Sequence, residues 1–94
     1  MAILSFADKE TEKVYNGQFS RRLPTDIQRM GLIKLVYLEE ALTVNDLRVP
    51  PSNHLERLHG DREGQFSIRI NDKYRICFTV CDNGFNDIEI VDYH

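Results

Sequence analysis

The sequence closes on Ile88-Glu89-Ile90-Val91-Asp92-Tyr93-His94, an alternating apolar strand whose last three residues are all capable of proton chemistry. An imidazole that titrates near neutrality serves as general acid or base. A phenol can stack on a base or donate to a phosphate oxygen, and a carboxylate can orient the imidazole. If the strand persists to its end, Asp92 and His94 share one face and Tyr93 takes the other, so a local twist is needed to gather them. An ordinary chain end is the competing reading. Arg69 and Arg75 form a second group, on the strands just upstream. Forked, permanently charged guanidinium groups on a sheet face suit phosphate; on spacing alone, solvated arginines paired with Glu89 or Asp87 remain open.

The other candidates are weaker. His54 and His59 flank Leu55-Glu56-Arg57-Leu58, and a loop spacing of that kind has no geometric reason to converge on a metal. His54 reads as a surface histidine. His59, directly before Gly60, lies nearer the arginine strands. There is no glycine-rich phosphate loop after a strand, no His-Glu-x-x-His and no serine nucleophile motif. Cys77 and Cys81 sit on one expected strand, roughly 13 Å apart along it at about 3.3 Å per residue. They cannot form a disulfide while the strand is intact, and without further Cys or His clustered nearby they make a poor zinc site.

The elements that must position these residues can be read from periodicity. Residues 2–6 suggest a first strand. Asp8 offers an N-cap to a helix over 9–15, in which Lys9 can pair with Glu12 and Glu10 with Lys13, before Asn16-Gly17 stops it. A second helix over 25–42 places Ile27, Gly31, Leu35, Leu38 and Leu42 on one stripe. Gly31 would mark close packing on the first helix. Residues 45–58 form the longest irregular stretch, where Pro50-Pro51 excludes helix interior and central strand. A tight turn over 60–64 precedes three strands, 65–70, 74–81 and 85–92, with Asn71-Asp72 and Asp82-Asn83-Gly84 as hairpin linkers. Phe66, Ile68 and Ile70 fall opposite Ser67 and Arg69, and Tyr74, Ile76, Phe78 and Val80 opposite Arg75, Cys77, Thr79 and Cys81. The middle hairpin therefore has an apolar face for the helices and an arginine face for a ligand.

Ninety-four residues make one domain, 1–94, that buries about 65% of its unfolded surface, with room for one helical layer on one sheet. No apolar run approaches the roughly 20 residues that span a bilayer, and Met1-Ala2-Ile3-Leu4 lacks a basic leader region, so a cytoplasmic protein without a membrane partner is expected. The net charge of −3 argues against a generic nucleic-acid coat. Its distribution is less discouraging: residues 48–75 hold six Lys/Arg against four Asp/Glu, and beyond Arg75 there are none against four.

Taken in order, three stretches carry a resemblance. They are Asp46-Leu47-Arg48-x-Pro50-Pro51-x-Asn53-x-Leu55-Glu56-x-Leu58-x-Gly60-x-Arg62-x-Gly64, then Ser67-Ile68-Arg69-x-Asn71-Asp72-x-x-Arg75-x-Cys77-Phe78, then Glu89-Ile90-Val91-Asp92-Tyr93-His94. Together they resemble the HigB toxins of the RelE superfamily, the plasmid-maintenance killer branch of bacterial type II toxin–antitoxin systems, over residues 35–94. The resemblance implies an α+β RelE-like domain, with two N-terminal helices packed on a small, mainly antiparallel sheet of about four strands. It also implies a cofactor-free, metal-independent ribosome-dependent mRNA endonuclease. Such an enzyme works by 2′-hydroxyl attack in the 30S A site. A helix-turn-helix antitoxin of the HigA type neutralises it and carries it to operator DNA. On this resemblance Arg75, Asp92, Tyr93 and His94 are the catalytic residues. His94 leads for proton transfer and Tyr93 stacks or orients, while Arg69, His59, Arg62 and Lys73 contact RNA.

Two positions depart from the family. Related toxins often carry lysine where His59 stands, and some carry histidine where Glu56 stands. Both departures weaken local positive charge, so a slower nuclease is expected. Related scaffolds also include toxins that bind gyrase without cleaving RNA, and a chiefly co-repressive role with the antitoxin is a third possibility. The retained Arg75 and Asp92-Tyr93-His94 favour the nuclease.

Overall fold

The computed structural model describes residues 1–93. Its elements run β1 (Ala2–Ile3), α1 (Lys9–Tyr15), α2 (Thr25–Glu40), β2 (Glu56–Arg57), β3 (Gln65–Arg69), β4 (Tyr74–Cys81) and β5 (Gly84–Asp92). One sheet has the order β1-β5-β4-β3-β2; β1 runs parallel to β5, and the other pairs are antiparallel. The two helices cover one face of this mixed sheet, in an α+β arrangement consistent with a RelE-like fold.

The local reasons follow the residues. Asp8 accepts from Thr11 N at 2.7 Å and caps α1, and Lys13 pairs with Glu10 at 3.5 Å. The inner stripe of α2, Ile27, Leu35 and Leu38, packs on Ile68, Ile76, Phe78, Ile88 and Ile90, with Phe78 and Phe85 meeting edge to face at 4.8 Å. Gly31 admits α2 closely: a Cβ there would lie 3.3 Å from Ile90 Cδ1 and 3.8 Å from Val14 Cγ1. The close approach expected on the first helix is thus shared with β5. No helix among the described residues is long and apolar enough to cross a membrane.

Four expectations need correcting. The sheet has five strands rather than four, because Glu56–Arg57 pairs with β3 at its edge. Two exposed polar residues carry no strand signal of their own. Residues 45–58 are also more ordered than an irregular loop, with single 3₁₀ turns at Val44–Arg48 and Pro51–Asn53. Finally, α2 stops at Glu40: Ala41 turns extended at ψ 140°, and Leu42 is 84% exposed rather than the end of the core stripe.

The first strand is also shorter than 2–6. It pairs with β5 at Ala2–Ile3 and meets it again at the Phe6–Ile88 bridge. Between these, β5 is irregular: Asp87 takes φ 54°, and its N–H bonds Ser5 Oγ at 2.9 Å. This extra step puts both Phe85 and Ile88 in the core, which strict alternation cannot do. Gly84 sits where β1 crosses, and a Cβ there would come within 2.2 Å of Ala2 O.

Candidate active site

The face opposite the helices carries Ser67 and Arg69 on β3 and Arg75 and Cys77 on β4. The register sets Arg69 directly opposite Arg75, and Ser67 opposite Cys77. Like charges directly across a ladder repel, so this pair creates a positive spot that an anion would relieve. Arg69 is met by the Asp72 carboxylate from the β3–β4 turn. Arg75 is the more firmly held of the two. Its Nε donates to Ser67 Oγ at 2.7 Å and its Nη2 to the His54 carbonyl at 2.5 Å, while Glu56 Oε1 lies 3.9 Å away. With only 11% of its side chain exposed, Arg75 is fixed before any ligand arrives.

Around the two arginines lies a cleft of about 440 Å³, shared with His54, Glu56, Asn71, Asp72 and Tyr93. A second cleft of about 350 Å³ is formed by His59, Asp61, Arg62, Val91, Asp92 and Tyr93. Tyr93 lines both. Its backbone is set by β5, since Tyr93 N donates to Lys73 O at 2.8 Å, and Lys73 Nζ lies 3.6 Å from Asp92 Oδ2.

The expected residues fall into three groups. Arg69, Arg75 and Tyr93 meet in the first cleft; His59, Arg62, Asp92 and Tyr93 meet in the second. Lys73 lines neither cleft and flanks Asp92. His94 lies outside the described residues. The alternative pairing of Arg69 and Arg75 with Glu89 or Asp87 is not what forms. Glu89 is 3.2 Å from Arg62 Nη1 instead, and Arg62 also donates to Gln65 Oε1 at 3.0 Å. His59 is exposed, with Nδ1 3.6 Å from Glu63.

His54, Asn71 and Asp72 were not anticipated in the cleft. Asn71 could have been found from the hairpin linker, for its Oδ1 accepts from Lys73 N at 2.9 Å and Tyr74 N at 2.8 Å, fixing the turn. His54 had no such signal, because the path of the proline segment decides where it points. That path is held from beneath. Fully buried Asn53 donates to Leu47 O at 3.0 Å and Val49 O at 3.2 Å and accepts a short hydrogen bond from Lys34 of α2. Burial, reinforced by the nearby Arg69 charge, holds the Lys34 ammonium below the usual lysine range.

Cys77, under the same face, is fully buried, and burial pushes its thiol up; Glu89 adds to this while Arg62 and Arg75 oppose it. It is packing rather than a nucleophile. Both cysteines are free.

A family model described as RelE-like toxin of type II toxin–antitoxin system HigB matches residues 4–94. Toxin HigB-1 of Vibrio cholerae is 40% identical over 80 residues, 84% of each chain. An uncharacterized protein of Haemophilus influenzae is 31% identical over 84 residues, 88% of this chain and 83% of its own. The chain therefore belongs to the HigB-like family of RelE-like toxins, and is the toxin of a type II toxin–antitoxin system.

Proposed function

We propose that this single-domain toxin is a ribosome-dependent mRNA endonuclease, acting in the cytoplasm on mRNA in the 30S A site. The observation that carries it is the opposed Arg69–Arg75 pair opening with Tyr93 into one cleft. Cleavage joins the 2′ oxygen to phosphorus and breaks the bond from phosphorus to the 5′ oxygen. This leaves a 2′,3′-cyclic phosphate and a 5′-hydroxyl. The 2′-hydroxyl proton must be taken up and one delivered to the 5′ oxygen, while charge grows on the phosphorane oxygens.

Arg75 suits that charge because its direction is already fixed, so little reorganisation accompanies the reaction. Arg69 adds a second cation. Tyr93, shared by the two clefts, can stack on a base between them. His94 is assigned a proton transfer and Asp92 its orientation. Arg62 and His59 contact the RNA backbone along the second cleft, and Lys73 contacts it beside Asp92. A HigA-type helix-turn-helix antitoxin neutralises the toxin and links it to operator DNA.

The test is induction of wild type, Arg75→Ala and His94→Ala with 5′ ends of cellular mRNA mapped. New 5′-hydroxyl ends within translated codons are expected for wild type, with at least a 100-fold loss in each variant. Intact mRNA alongside gyrase inhibition overturns the nuclease. Variants that cleave like wild type overturn the residue assignment.

A further inference from the structure

We infer that His54 is a further catalytic residue of this toxin, a proton-transfer imidazole in the cleft that holds Arg75. The inference rests on the nuclease reading above. Its first support is how residue 54 is placed. The backbone of His54 takes φ 44°, ψ 57°, the left-handed region that few residues other than glycine occupy without cost. Strain of this kind persists only where the surroundings impose it. Here they do so from three sides: His54 N donates to Pro51 O at 3.0 Å, Arg75 Nη2 donates to His54 O at 2.5 Å, and buried Asn53 anchors the preceding residue. Three restraints converge on the backbone of an exposed residue that lines the cleft.

The second support is chemical. The charged or titratable groups that face His54 across the cleft are Glu56, Arg69, Asp72, Arg75 and Tyr93. The arginines cannot give up a proton at neutral pH, and none of the others has an unperturbed titration near 7. Among the described residues, His54 is thus the one imidazole lining this cleft, the side-chain type used most often for proton transfer. Arg75 also couples position to chemistry. The guanidinium assigned to the phosphate is bonded to the carbonyl of His54 itself, so a phosphate docked on Arg75 lies beside residue 54.

The reaction needs two proton transfers. One removes the 2′-hydroxyl proton as the 2′ oxygen–phosphorus bond forms. The other protonates the 5′ oxygen as its bond to phosphorus breaks. His54 carries one of these, and the imidazole of His94 the other.

The experiment is single-turnover cleavage of ribosome-bound mRNA across pH, with purified wild type, Arg75→Ala, His54→Asn and His54→Gly. Asparagine and glycine both accept a left-handed backbone, so both variants should fold, and His54→Gly should melt at or above the wild-type temperature. Their cleavage should fall about 100-fold or more, with ribosome binding unchanged and one limb of the pH–rate profile gone. Added imidazole should restore part of the rate of His54→Gly. A His54→Asn protein within about threefold of wild type, with both limbs present, overturns the role of His54 and leaves the nuclease standing. Wild type that leaves ribosome-bound mRNA intact overturns the nuclease, and this inference with it.

Discussion

Glu56 brings a carboxylate to within 3.9 Å of the guanidinium on which the phosphate is proposed to dock. A negative charge there both neutralises Arg75 in part and repels the substrate. In the neighbouring cleft, His59 sits 3.6 Å from Glu63, a weaker source of positive charge than a lysine. The double substitution Glu56→His with His59→Lys should therefore speed cleavage, by about three- to tenfold if each change contributes what an exposed charge pair does. Single-turnover rates on ribosome-bound mRNA decide it; no gain would show that these charges do not limit the reaction. At this scale the sequence was legible where alternation governs. Ser67, Arg69, Arg75 and Cys77 share a face because side chains on paired strands must. His54 was opaque, since its place follows from turns and a lysine on another element.

The segment between α2 and β3 is the element that makes the site. It leaves the helix at Ala41, passes two 3₁₀ turns, adds β2 to the sheet edge and delivers His54 and Glu56 to the cleft. Asn53 ties it down, with both of its donors and its acceptor used inside the protein. Replacing it with alanine strands the Lys34 ammonium and leaves two carbonyls without a donor. Asn53→Ala should cost about 3 kcal/mol in a denaturant titration, and cleavage should fall as residue 54 loses its anchor. An unchanged midpoint would mean the segment is held by other contacts. Long elements with strong periods, α1, α2, β3, β4 and β5, were legible from side-chain pattern and caps. What stayed hidden was set by tertiary context: the two-residue β2, the left-handed step at Asp87, and the exit of α2 two residues before its apolar stripe ends.

Over the whole molecule, 15 acidic side chains outnumber 12 basic ones, and the basic middle of the chain is partly neutralised by its own acidic final strand. Arg62 pairs with Glu89, Lys73 with Asp92, and Arg69 with Asp72 from the turn beside it. The arginines that line the two clefts around Tyr93 are Arg62, Arg69 and Arg75. Such a surface gives weak long-range attraction, so under the proposed function the ribosome supplies most of the local mRNA concentration. The number of cations sets how steeply salt weakens binding, because each phosphate neutralised releases about 0.7 of a counterion from single-stranded RNA. With Arg62, Arg69, Lys73 and Arg75 all engaged, log K against log salt should slope no more steeply than about −3, and Arg69→Ala should flatten it by about 0.7. Fluorescence anisotropy with a short single-stranded RNA and the Arg75-intact His54→Asn protein measures both. A slope near −6 would mean about nine phosphates are neutralised, more than twice what these four cations can supply, and would move the RNA path onto a surface other than the one built around Tyr93.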